Sequence, residues 1–220
     1  METTMVVEGC DVHLVCLYFD YRHPLIQEKL VDLAASRQER NIGMVEKLIQ
    51  AGFTISMDDL KPYGNRAISR GHIAKILVER GYASAPKEAI KNYLSKNTVG
   101  YVQRRTPDPA SFIQSIHQAG GLCFVAHLHQ IDPISPEHCV SICRSMFAAG
   151  ADGLETLYCE YNDYWRQTTE ALAVEYQVLR SGGSDFHGNI KPGLELGIGY
   201  GDLAVPYSFL TAIKAHVSTK

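Results

Sequence analysis

Long apolar runs are missing from this chain. No stretch reaches the roughly 18 residues of a bilayer-crossing helix, so no membrane span is expected. The N-terminus lacks the basic start and apolar stretch of a secretory signal. Positive charge is not in excess: 21 Lys and Arg face 24 Asp and Glu, for a net charge of −3. The chain as a whole therefore has no pull toward nucleic acid, and an anionic substrate has to be gripped locally. Low-complexity segments and internal repeats are also lacking. None of the six cysteines (Cys10, Cys16, Cys123, Cys139, Cys143, Cys159) forms a Cys-x-x-Cys pair. Their spacing argues against a Cys/His zinc module. Several lie inside apolar segments, as do the reduced, mostly buried thiols of cytosolic proteins, and a cytoplasmic location is expected. A structural zinc site is the competing reading of these cysteines.

What is present suffices for a core. The chain has 220 residues, 45% hydrophobic and 20% charged, which fits one domain or one domain with an insertion. Residues 1 to about 20 read as strands, and Pro24 to Gln50 as a helix stopped by Gly52. Thr54–Leu60 reads as an extended piece running into a capped helix start, and Pro62–Asn65 as a turn. Helices are expected over 69–80 and 85–94. From Tyr101 a strand–helix rhythm begins, with helices near 109–119, 137–148, 163–175 and 206–217 and strands at 122–126, 153–158 and 178–182. Repeated βα units imply parallel strands. Core segments 1–21 and 105–220 thus flank a mostly helical insertion over 22–104.

Three clusters carry chemistry. Ser181-Gly182-Gly183-Ser184-Asp185-Phe186-His187-Gly188 puts a carboxylate and an imidazole two residues apart among glycines. On an extended strand end both point the same way, as half of a metal site. A tight turn, with Asp185 bonding its own backbone, explains the same pattern. Gly120-Gly121-Leu122-Cys123-Phe124-Val125-Ala126-His127-Leu128-His129 reads as a buried strand with His127 just past its C-terminal end. That is where α/β folds place their chemistry. The third cluster is Glu2, before a short β-prone stretch, with His13 near the start of the apolar strand 12–19.

In this order the pieces resemble the PHP (polymerase and histidinol phosphatase) family of metal-dependent phosphoesterases, in its small nucleotide- and oligonucleotide-phosphatase branch. The resemblance runs from about Glu2 to Gly199. It rests on Val12-His13-Leu14, Arg37 to Asn41 with Met44 to Leu48, and Ser69-Arg70-Gly71-His72-Ile73-Ala74. It continues through Gly120 to His127, Gly150-Ala151-Asp152-Gly153-Leu154-Glu155, and Gly182 to Gly188. Relatives begin with a His-x-His strand and a Thr-Asp-His-Asp segment. This chain has neither, and looks like a member without its first strands. Leu128 stands where many relatives have proline.

The resemblance implies an α/β fold of the distorted (β/α)7 PHP-barrel type, N-terminally truncated, with the metals at the strands' C-terminal rim. Its metal ligands would be Glu2, His13, His127, Asp185 and His187. Nitrogen and carboxylate donors suit divalent manganese, with zinc, iron or magnesium as alternatives. Arg70 and His72 would hold substrate phosphate, where a guanidinium grips bidentately. Arg40 and Asn41 would order the insertion helix. His129 reads as an extra or outer ligand or as a polar loop residue. Glu155 reads as a contact to substrate or metal-bound water, or as a plain strand-end carboxylate. Lys191 reads as a phosphate attractor or an ordinary exposed lysine. The expected activity is hydrolysis of phosphate esters of nucleotides or short oligonucleotides through a metal-activated water. The alternative is a truncated, non-catalytic relative that binds anions or needs another chain to complete its site. Exposed strand edges would also permit self-association.

Overall fold

The computed structural model describes residues 1–63, 68–188, 191 and 193–218. By internal contacts the chain divides into two units, residues 1–27 with 107–220, and residues 28–106.

The first unit is built on a five-stranded sheet in the order β1-β2-β3-β4-β5. β1 (Glu2–Val7) and β2 (Cys10–Leu17) form an antiparallel hairpin, Val7 opposite Cys10. The two residues between them explain the tight turn. Glu8 (φ 51°) and Gly9 (φ 77°) both hold positive φ, as a two-residue hairpin loop that matches strand twist requires. β2 also pairs antiparallel with β3 (Leu122–Val125). Only β3, β4 (Gly153–Tyr158) and β5 (Leu179–Gly183) are mutually parallel. The parallel pattern expected of the βα units therefore holds for the last three strands. The first two are antiparallel because a two-residue loop cannot make a parallel crossover.

β3 is buried along its whole length, as its unbroken apolar sequence requires. In β2 Val12, Leu14 and Cys16 are buried, so period-two alternation puts His13 on the other face. α4 (Pro109–Gln118) and α5 (Pro136–Ala148) precede β3 and β4. Both carry proline in the first turn and a side-chain cap, from Asp108 and Ser135. α6 (Asp163–Glu175) is capped by Asn162 and precedes β5. α7 (Tyr207–Val217) buries Ile213 against Leu122 and Phe124.

The second unit has its own apolar cluster, which includes Met44, Leu48, Leu60, Ile73, Leu77 and Leu94. The helix α1 (Pro24–Gln50) supplies the first of these residues at helical spacing. The Asn41 amide donates to the Ile68 carbonyl at 3.1 Å and accepts from Arg40 at 3.0 Å. A 3-10 helix covers Met57–Tyr63, so the first part of the expected Pro62–Asn65 turn is helical and the rest lies outside the described residues. α2 (Arg70–Glu79) follows, then α3 (Pro86–Ala89) running into a π-helical turn, Ile90–Leu94. Among the described residues no helix is long and apolar enough to cross a membrane.

Candidate metal centre

The hairpin register brings the first two side chains together. Glu2 lies opposite Val15 and Thr4 opposite His13, so Glu2 and His13 share one face as diagonal neighbours. The next strand supplies the third. The Ala126 amide donates to the His13 carbonyl at 3.0 Å, and His127 follows directly. Glu2 Oε1 lies 2.8 Å from His13 Nδ1 and 3.3 Å from His127 Nε2. The two ring nitrogens are 3.2 Å apart. Two ligands each about 2.0–2.1 Å from one tetrahedral ion sit about 3.3 Å from each other. The two separations that involve His127 Nε2 match that spacing, so one carboxylate and two imidazoles fit a divalent cation. Hydrogen bonds from His127 and His13 already hold the Glu2 carboxyl far below its usual range, despite partial burial.

The backbone at His127 is unusual. Its φ of 27° and ψ of 61° lie in a region costly for a residue with a Cβ, on the order of 1–3 kcal/mol. Neighbouring groups hold it there. The His127 amide donates to Glu155 Oε2 at 2.8 Å, and the Leu128 amide to the Tyr161 hydroxyl at 2.7 Å. Glu155 lies within β4, three residues before its end, and so is not the strand-end carboxylate expected; its other oxygen faces Gly183, where a Cβ would stand 3.1 Å away. Burial pushes the Glu155 carboxyl up to about 8. The His127 amide opposes that shift, and the Asp185 and Glu2 carboxylates add to it. A carboxyl raised by burial, with two further carboxylates close by, marks a spot where a cation is favourable. His127 Nδ1 is buried with no hydrogen-bond partner.

Asp185 and His187 meet, but not by strand alternation. β5 ends at Gly183, and Asp185 has a φ of 52°. The chain turns there, and His187 Nδ1 folds back to 2.7 Å from the Asp185 carbonyl and 3.1 Å from Oδ1. The extended geometry expected of this pair is therefore corrected to a turn. Asp185 Oδ2 accepts from Lys191 at 2.5 Å and from the Tyr158 hydroxyl at 3.3 Å. The Tyr158 ring lies 5.7 Å from that of His127. So the five expected ligands fall into a trio in direct contact (Glu2, His13, His127) and a pair (Asp185, His187). Tyr158, which touches Asp185 and faces the His127 ring, links the two groups.

The remaining expected residues are placed as follows. His129 lies in a 3-10 turn, Leu128–Gln130, with its ring 5.5 Å from Tyr158 and 5.3 Å from Tyr161. Burial keeps its pKa below the ordinary histidine value, with Glu160 opposing. Lys191 sits on Asp185, as above. Arg70 and His72 belong to the second unit, at the start of α2. There His72 Nδ1 accepts from the Ser69 amide at 3.0 Å, and its ring meets Tyr63 at 4.5 Å. Tyr158 and Tyr161 escaped the sequence reading. The usable signal was hydroxyl-bearing side chains in and just after the apolar run of β4.

No family model matches the chain. It is 31% identical over 180 residues to a 5'-3' exoribonuclease of Haemophilus influenzae, covering 82% of this chain and 65% of that protein. It is 30% identical over 198 residues to the 5'-3' exoribonuclease Rnm of Escherichia coli, covering 90% of this chain and 67% of that protein. A crystal structure from Bifidobacterium adolescentis, described as a metal-dependent phosphoesterase, matches with a TM-score of 0.80 at 27% identity, over 97% of this chain and 74% of that one. The chain thus spans about two thirds of the length of these relatives (65% and 67%). These relatives are consistent with the PHP resemblance, and the chain belongs to the family of the 5'-3' exoribonuclease Rnm.

Proposed function

We propose that this chain is the metal-binding part of a PHP-type phosphoesterase that hydrolyses phosphodiesters of short oligoribonucleotides from the 5' end. The observation that carries the reading is the contact of Glu2, His13 and His127, three donors with two of their three separations at ligand spacing. Similarity to exoribonucleases supports RNA as the substrate class. The fold matches a phosphoesterase structure and supports a barrel of PHP type.

Glu2, His13 and His127 would hold one divalent ion, and Asp185 with His187 would serve a neighbouring one. A bound divalent ion supplies charge for phosphate oxygens and an acidified water near neutral pH. With nitrogen and oxygen donors only, manganese suits the site, as do zinc, iron and magnesium. Glu155 fixes His127 through its amide and so aims Nε2 at Glu2. Lys191 offers its ammonium to a phosphate once Asp185 turns to a cation. For Arg70 and His72 the phosphate-holding role rests on the resemblance alone. Pairing of another chain along β1 or β5, each hydrogen-bonded to one neighbour strand, would be seen as a dimer in light scattering.

The test is direct. The purified chain is given manganese and a 5'-phosphorylated oligoribonucleotide, and products are resolved in time. Stepwise release of mononucleotides from the 5' end, lost in Glu2→Gln, is the expected result. A folded chain that binds manganese and releases nothing refutes the activity and favours the non-catalytic relative.

A further inference from the structure

The same hairpin carries a second cluster at its turn. Cys10 opens β2, just after Glu8 and Gly9. Facing it are Asp132, in the loop before α5, and His138, in the first turn of α5. One ligand atom each from Cys10, Asp132 and His138 can be chosen so that all three lie within 4.8 Å of one another. Residues about 130 positions apart in the chain thus present a thiol, a carboxylate and an imidazole at one point.

The geometry points to a zinc site formed by Cys10, Asp132 and His138. This site is separate from the Glu2–His13–His127 centre and does not depend on the proposed activity.

The surrounding hydrogen bonds are those of an oriented site. Asp132 Oδ2 lies 2.9 Å from His138 Nδ1. Its other oxygen accepts from the amides of Ile134 at 3.0 Å and Ser135 at 3.3 Å, so the carboxylate cannot rotate freely. Ser135 caps α5 by accepting from the His138 amide at 3.2 Å, which fixes where the imidazole starts. On the far side of the ring, Nε2 is 3.1 Å from Glu8 Oε2. A metal-bound histidine gives one ring nitrogen to the ion and is held at the other by an outer carboxylate, so Nδ1 beside Asp132 is the ligand nitrogen and Glu8 is the carboxylate that orients the ring.

The donor set selects the metal. A thiolate prefers zinc or another borderline-soft cation to manganese or magnesium, whereas the first centre has nitrogen and oxygen alone. Cys10 forms no disulfide. The other nearby thiol, Cys139, is already engaged, accepting from the Asp132 amide and donating to the Asp132 carbonyl, both at 3.2 Å. Cys10 supplies the sulfur that lies with the Asp132 and His138 donors. Binding releases its proton to solvent, so affinity falls as pH is lowered.

Cobalt(II) as a spectroscopic stand-in for zinc separates the two centres. Only a site with a thiolate gives a sulfur-to-cobalt charge-transfer band in the near ultraviolet. The whole chain titrated with cobalt should show this band, and zinc should displace it. Glu2→Gln should keep the band, while Cys10→Ser and His138→Gln should lose it. Asp132→Asn, which removes a ligand, should weaken zinc by at least about 10-fold, the loss that even an orienting partner causes. Circular dichroism of the metal-free variants checks that each remains folded. No band in the wild-type chain overturns the assignment. A band that survives Cys10→Ser in a folded protein also overturns it, because the sulfur would then be Cys139.

Discussion

One hairpin serves two clusters that differ in kind. Beyond the turn, Glu2 at the start of β1 and His13 midway along β2 meet His127 on a strained backbone, beside a carboxyl raised by burial. At the turn, Cys10 meets Asp132, from the loop before α5 with a partner on each carboxylate oxygen, and His138, from the first turn of that capped helix. The first arrangement is poorly satisfied as it stands, with His127 Nδ1 orphaned and the Glu155 carboxyl kept from ionising by burial and by the Asp185 and Glu2 carboxylates. The second is well satisfied without a cation. Strain and unbalanced charge collect where chemistry is done, and a satisfied network suits a site that holds structure together.

The largest expected effect breaks the first cluster. Replacing His127 with Ala should lower turnover by at least about 100-fold, since loss of an orienting partner alone costs about 10–100-fold. Initial rates at saturating manganese measure this. A variant within threefold of the wild type would place the metal elsewhere.

Glu155→Ala comes next. It leaves the His127 amide buried without an acceptor, costing about 1–3 kcal/mol, and frees a strained turn. Manganese affinity by calorimetry should fall about 10–100-fold, and the urea midpoint should fall with it. A stability loss with unchanged affinity would reduce Glu155 to a packing role.

A third effect contrasts the half-buried Cys10 with Cys143, deep on the inner face of α5. Burial pushes the Cys143 thiol up to about 12 from 9.0. The folded state therefore keeps a proton that the unfolded chain loses above about pH 9. This contribution is fully present below that pH and is lost as pH rises toward 12, by about 1.4 kcal/mol per pH unit. Urea midpoints measured from pH 8 upward should fall less steeply for Cys143→Ala than for the wild type. Equal slopes would assign the alkaline loss to other buried groups, such as Tyr161.

The smallest effect compares two helix caps. Asp108→Ala on α4 and Ser135→Ala on α5 should each cost about 1 kcal/mol in denaturant unfolding. Only Ser135→Ala should also weaken zinc, because the Ser135 hydroxyl holds the His138 amide. Equal zinc affinities in the two variants would detach the cap from the metal site.

Much of the C-terminal architecture was legible residue by residue. The strand expected at 153–158 and the helix at 163–175 are found with those bounds, and α4, α5 and β3 lie within a residue or two. Apolar runs, proline at helix starts and glycine at helix ends are local signals, and local signals suffice there. The antiparallel hairpin was less visible. Glu8-Gly9 is a tight-turn pair, but the pairing of Glu2 with Val15 shows only once both strands are extended. Glu155 was ambiguous between a substrate contact and a plain strand-end carboxylate. Its task is set by a backbone amide 28 residues away. Asp185 and His187 were expected to converge, and do so by a turn that two-residue alternation could not reveal.

By itself, the sequence determined where strands and helices begin and end and which residue types carry the chemistry, because short-range sterics, capping and hydrophobic periodicity act within a few residues. Only the tertiary structure decided that Glu2, His13 and His127 stand within 3.3 Å of each other and that Cys10 faces His138. Such contacts join segments more than 100 residues apart. The strand-borne partners Glu2, Cys10 and His13 depend on hairpin register, where a single-residue slip would send a side chain to the other face.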